Sequence, residues 1–112
     1  MLRIYVSNTD KVKFTAVYEA LAFAARRYGM AGVTVYKGIM GYGAGRKMVS
    51  DKFWELGGKT PVVVEIIDEE EKIGEFVSYI TPWLDQLQHG CMAVVMDVDV
   101  VYHRPGRGGK CR

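Results

Sequence analysis

Four glycines fall within eight residues, Gly38, Gly41, Gly43 and Gly45, and Arg46 and Lys47 follow at once. Glycine enters φ > 0 without steric cost, so this spacing predicts backbone bent repeatedly and bared for close approach. Successive amide N–H groups in such a bend form an electropositive nest for an anion such as phosphate. Arg46 and Lys47 would add full charge to it. The net charge is only +2, but residues 37–59 carry five basic side chains against two acidic ones, and residues 103–112 carry four basic and no acidic ones. A basic loop and a basic tail on an acidic body favour an anionic ligand. A solvated surface loop has the same composition, and composition alone does not choose between the two.

Other chemistries find less support. Gly58-Lys59-Thr60 has the ending of a phosphate-binding P-loop, but Phe53 stands where its first glycine is required, and Pro61 with VVVEII announces a strand instead of a helix. Cys91 and Cys111 are too far apart for a CxxC motif, and with His89 and His103 they form no metal-ligand spacing. Cys91 reads as a small buried hydrophobe at the start of a strand. No nucleophile and base are paired by motif, so no catalytic residue is assigned and the chain is not expected to be an enzyme. The acidic run Asp68 to Glu71 reads as a helix start, with Asp68 as N-cap and Glu71 closing a capping box.

A chain of 112 residues supports one domain with its own core. No apolar run approaches the roughly 20 residues of a membrane-spanning helix, and the N-terminus does not resemble a signal peptide, so a cytoplasmic protein without membrane insertion is expected. Leu2, Ile4 and Val6 alternate with polar neighbours as in a half-buried strand. From about Phe14, apolar residues at Val17, Tyr18, Leu21, Ala25 and Tyr28 step as an amphipathic helix, with Gly29 as its left-handed stop. Gly32 to Tyr36 reads as a second strand and Pro61 to Ile67 as a third. The long connection between them is expected to be partly helical over Val49 to Leu56. A second helix follows Asp68 and buries Ile73, Phe76, Val77, Ile80, Leu84 and Leu87; Thr81-Pro82 predicts a kink or a restart within it. Met92 to Tyr102 reads as one long final strand, and 105–112 as a flexible basic tail beyond a domain of residues 1–104.

Strand, helix, strand, long loop, strand, helix, strand is the split βαβ order of a ferredoxin-like α+β sandwich, a four-stranded antiparallel sheet with two helices on one face. The other face would carry Arg3, Tyr5, Ser7, Thr34, Tyr36, Val63, Glu65, Ile67, Asp97, Asp99 and Val101. That mixture is too apolar to stay wholly wet, which predicts oligomerisation through it.

VTVYKGIMGYGAGRKM, followed by PVVVEIIDEEEKI, resembles the PII-like family of small proteins related to the nitrogen-regulatory PII signalling proteins, over roughly residues 2–102. The resemblance implies a homotrimer with sheets facing inward and an adenine nucleotide (ATP, ADP or AMP) in the clefts between subunits. It also implies a signalling T-loop between the second and third strands that docks on a membrane transporter, channel or enzyme. By position, Gly41, Tyr42 and Gly43 would form the base of that loop; Gly38, Arg46 and Lys47 join them as expected ligand-binding residues from the glycine-rich basic stretch itself. Gly90 falls at the turn before the last strand, and His103 and Arg104 fall where PII proteins carry phosphate-binding arginines. Gly45 stands where PII proteins carry a glutamine, and Cys91 where they carry a lysine. The rival reading is a nucleic-acid-binding ferredoxin-like module that stacks bases on Tyr5 and Tyr36. The third strand lacks the aromatics and glycines such modules carry, so no nucleic-acid partner is expected.

Overall fold

A computed structural model describes residues 1–43, 49–50 and 59–106 of the chain, with 49–50 given as backbone. The four main strands are β1 (Leu2–Ser7), β4 (Val33–Lys37), β7 (Pro61–Ile66) and β8 (Met92–Val95). They form one sheet in the order β4-β7-β1-β8, antiparallel at every pairing. With helices α1 (Val17–Arg27) and α2 (Glu70–Asp85) this is the ferredoxin-like sandwich that the element order predicts. Two small hairpins decorate it: β2 (Lys11–Val12) with β3 (Thr15–Ala16), and β5 (Met40–Gly41) with β6 (Val49–Ser50).

Strand alternation decides the layers. Leu2, Ile4 and Val6 of β1 and Val62, Val64 and Ile66 of β7 are buried together with Val17, Leu21, Ala24 and Ala25 of α1 and Ile73, Phe76 and Ile80 of α2. Phe76, fully buried, meets Tyr28 edge-on, with ring centroids 5.6 Å apart. Val77, Leu84 and Leu87 pack at the margin of this core.

The helix ends show where local chemistry decides. Gly29 sits at φ +80°, its N–H donating to the Arg26 carbonyl while Met30 N–H reaches the Ala25 carbonyl. This is the two-bond left-handed stop anticipated at that glycine. The start of α1 differs from expectation. Phe14 is 96% exposed in the tight β2–β3 hairpin, where Lys13 has φ 59°, so the helix begins only at Val17. Asp68 does not cap α2, whose N-cap is Glu69 without a side-chain bond. One Asp68 carboxylate oxygen instead accepts from Ala31 N–H (2.8 Å) and the other from Glu69 N–H (2.7 Å), tying the loop before β4 to the end of β7. Pro82 lies inside a continuous α2, and Thr81 is no second cap, since its hydroxyl donates back to the Val77 carbonyl. Pro82 has no N–H to give the Ser78 carbonyl, and Ser78 lies at an exposed position of the helix.

Two expectations about the loop and the last strand change. Val49–Ser50 is a strand paired with Met40–Gly41, not the start of a helix. The remainder of that expected helix lies outside the described residues, as do Gly45, Arg46, Lys47 and the tail from 107. The final strand is paired only over Met92–Val95. Its last link is Met96, whose N–H donates to the Met1 carbonyl while the Met1 ammonium donates to the Met96 carbonyl (2.7 Å). From Asp97 to Gly106 the chain has no regular structure.

Candidate functional site

The glycine stretch begins where β4 ends. Gly38 N–H donates to the Pro61 carbonyl at 2.7 Å, drawing the loop against the first residue of β7. A Cβ at Gly38 would lie 2.9 Å from Pro61 Cγ, too close for any side chain without movement. Close approach therefore explains Gly38. The expected left-handed nest is absent from the described part, because Gly38, Gly41 and Gly43 do not adopt positive φ. Gly41 pairs with Val49 in the loop's two-stranded stem, and among the described residues a Cβ at Gly43 would meet nothing within 4 Å. Ile39, Met40 and Tyr42 are exposed around this corner.

Gly90 precedes β8 at the same end of the sheet, because Lys37 lies beside Val62 and Met92 beside Tyr5. The two features nevertheless sit on opposite edges. Strands β7 and β1 separate β4 from β8, which at about 4.8 Å per strand spacing puts the edges about 14 Å apart. The chain leaves the sheet beside Leu2 and Met1, at the far end from Gly90, and His103 and Arg104, which follow in irregular structure, are exposed.

A polar knot beside Gly90 was not legible in the sequence. Asp10 is 4% exposed; one carboxylate oxygen accepts from Ser7 N–H (2.9 Å) and the other faces His89 Nδ1 at 3.2 Å. Asn8 joins the same loop to β7, its N–H donating to the Thr60 carbonyl and its side-chain oxygen accepting from Thr60 N–H (2.9 Å). The Thr60 hydroxyl is buried with no hydrogen-bond partner among the described residues. The run Ser7-Asn8-Thr9-Asp10 reads as a turn from sequence, but nothing local announces a histidine 79 residues away. Cys91, next to this knot, is exposed and not the buried hydrophobe expected. Its thiol pKa is pushed up by partial burial and by the carboxylates of Asp10 and Asp85.

The open sheet face is built in cross-strand rows. Thr34, Glu65, Arg3 and Val94 stand side by side, as do Tyr36, Val63, Tyr5 and Met92. Met92 and Val94 therefore belong to this face, whereas Asp97, Asp99 and Val101, expected there, lie beyond the sheet. Arg3 Nε donates to Glu65 Oε2 at 2.7 Å, and the Tyr36 hydroxyl donates to the same oxygen at 3.1 Å. The bond to Glu65 raises the Arg3 pKa. Desolvation first, and Glu65 second, raise that of Tyr36. Arg3 in these rows is thus paired with a carboxylate.

Among the described residues, no three His, Cys, Asp or Glu side chains group as a metal site, and no helix is long and apolar enough to cross a membrane. A groove of about 270 Å³ between α1 and the start of β4, lined by residues including Phe23, Arg26, Met30 and Val33, is bordered by none of the candidate residues.

Residues 1–100 match the model of family DUF190, described as "Uncharacterized ACR, COG1993". The chain belongs to the DUF190 family. Similar members include a UPF0166 protein of Aquifex aeolicus, 36% identical over 102 residues that cover 91% of this chain and 92% of the relative. A UPF0166 protein of Methanocaldococcus jannaschii is 37% identical over 73 residues, 65% of this chain and 67% of its own. A second Aquifex aeolicus UPF0166 protein is 29% identical over 79 residues, 69% and 74% of the two chains. The DUF190 match takes in the glycine corner, the Asp10–His89 knot and Gly90, and stops short of His103 and Arg104.

Proposed function

We propose that this DUF190 chain is a cytoplasmic, non-catalytic regulatory protein of the PII-like kind. It assembles as a homotrimer, takes a small anionic ligand between subunits, and signals through the loop that follows Gly38. An adenine nucleotide is the leading ligand and a transporter, channel or enzyme the docked partner. The observation that carries this reading is the position of Gly38–Gly43 and Gly90. They share one end of the sheet but lie on its opposite edges, so a site using both needs the edge of one copy beside the opposite edge of another. Stacking of sheets around an axis would also cover Tyr5, Tyr36, Met92 and Val94, which a monomer leaves on an open face.

Thermal-shift measurement against ATP, ADP, AMP and inorganic phosphate tests the ligand, since binding to the native state raises its melting temperature by mass action. Light scattering in parallel tests the assembly. A stabilising nucleotide together with a threefold mass supports the reading. A monomer at micromolar concentration, or a trimer that no nucleotide stabilises, removes its assembly or its ligand respectively.

A further inference from the structure

Phe14 is the most exposed large apolar side chain among the described residues, at 96%. With Lys13 it forms the two-residue turn of the β2–β3 hairpin, whose strands pair Val12 with Thr15. Lys13 takes the positive φ of 59° that this turn requires. Tight hairpins usually place glycine or asparagine at such a position and polar residues at the tip. Here the chain spends a lysine on the strained position and raises an aromatic ring into solvent beside it. The ring adds nothing to the core.

The hairpin and the glycine corner share one end of the sandwich. Ser7 lies beside Pro61 and Lys37 beside Val62, so β1 and β4 end and begin their loops on the same side. The Asp10 carbonyl accepts from Val17 N–H, which holds the hairpin and the start of α1 there too. One strand, β7, separates β4 from β1, so their ends are about 10 Å apart. At the corner, Ile39 is 71% and Tyr42 64% exposed. Residues 11–16 and 37–43 contain Lys11, Lys13 and Lys37 and no acid. None of the three has an ion-pair partner among the described residues. Of the acids near this end, Asp10 is buried, while Glu19 and Asp85 belong to the helix ends.

We propose that this end of the sandwich docks on an anionic lipid bilayer, with Phe14 as its apolar anchor. Its apolar side chains stand on two separate turns, not as one continuous patch that a rigid protein surface would cover. A fluid headgroup layer accommodates single protruding rings, and aromatic side chains favour that depth. The lysines supply attraction to anionic lipid while their ammonium groups stay in water. Either signal alone binds weakly, and stable attachment takes both. The chain would lie on the bilayer and not cross it. This surface needs neither the nucleotide nor the trimer proposed above, so its failure leaves that reading standing.

Co-sedimentation of the nucleotide-free protein with phosphatidylcholine vesicles, plain or with about one third phosphatidylserine, tests the proposal. Binding is expected only to the anionic vesicles and should fall as salt is raised. Lys11→Gln/Lys13→Gly keeps a residue suited to positive φ and should lower the partition coefficient about 25-fold, at about fivefold per charge. Phe14→Ser should lower it at least about fivefold, whereas Phe14→Trp should retain it. Arg26→Gln/Arg27→Gln removes the same charge from exposed positions at the far end of α1 and should change it less than about twofold. Circular dichroism should be unchanged throughout. Failure to bind anionic vesicles, full binding by Phe14→Ser, or an equal loss in the arginine variant overturns the proposal. If Phe14→Ser instead lowers the oligomer mass in light scattering, the ring serves a contact between copies and the proposal is wrong. If the lysine variant fails to fold, the two Phe14 variants and the salt dependence decide.

Discussion

Asp10 and His89 face each other at 3.2 Å, joining the loop after β1 to the turn before β8 across 79 residues of sequence. Only the acid is buried: its side chain is 2% exposed, against 61% for the histidine. Asp10 also accepts Ser7 N–H through its other oxygen, and its backbone carbonyl takes the N–H of Val17, the first residue of α1. Replacing Asp10 by alanine strands a buried donor and should cost about 1–3 kcal/mol in urea unfolding. His89→Ala, at an exposed position, should cost about 0–1 kcal/mol. Equal costs would mean that the histidine, and not the buried turn, carries the stability of this corner.

Gly38 and Gly43 separate two roles within one stretch. A methyl group at Gly38 meets Pro61 Cγ at 2.9 Å, so Gly38→Ala should destabilise the domain by about 1–3 kcal/mol, as overpacking does. Gly43→Ala meets open space among the described residues and should stay within about 0.5 kcal/mol of wild type. Thermal unfolding of the two variants side by side distinguishes them. Equal stability would show that the loop base yields readily at Pro61.

Tyr36 should ionise later than an ordinary tyrosine. Its pKa is raised above 10.0, first by desolvation of the phenolate and then by the hydrogen bond and charge of Glu65. The neutral phenol is therefore favoured in the folded protein. Its contribution to stability is fully present below the unfolded value near 10 and is lost as pH rises through the higher folded pKa. The absorbance titration at alkaline pH, taken as the difference between wild type and Tyr36→Phe, should show that late phase. Glu65→Gln should bring it to lower pH. A phase at the ordinary value in wild type would mean the bond to Glu65 does not persist in solution.

The sandwich was legible because its strands and helices carry their periods openly: Leu2, Ile4 and Val6 for the sheet, and Ile73, Phe76 and Ile80 for α2, are buried as their spacing requires. Gly29 was legible because a left-handed helix stop is local chemistry. The errors have one physical source, which is that sequence patterns do not reveal which partner wins. Phe14 fits the helical stepping but is claimed by a tight hairpin. Asp68 is placed to cap α2 but binds Ala31 from another loop. The valines from Val98 onward read as strand, yet a strand needs a neighbour, and the chain's own sheet ends before them. Of the candidate site, the glycine corner and Gly90 were visible from composition and resemblance. Their location on opposite edges follows from strand order, which spacing alone does not encode.

That separation gives the assembly its own test. In the proposed trimer, the loop base of one copy and Arg104 of another serve the same ligand. Gly43→Val, bulky at the loop base, and Arg104→Ala, which removes a charge-assisted contact of about 1–3 kcal/mol, should each weaken calorimetric binding of ATP. Unfolding the two weakened variants together and refolding them as mixed rings gives a sharper result. If both residues come from one chain, every mixed site carries one defect and no site regains wild-type affinity. If they come from neighbouring chains, random mixing in a closed ring restores about a quarter of the sites, those with an intact loop base facing an intact arginine. Recovery near that fraction supports the inter-subunit site. No recovery, from variants that each fold and assemble, assigns both residues to the same subunit and removes the reason for a cleft between copies.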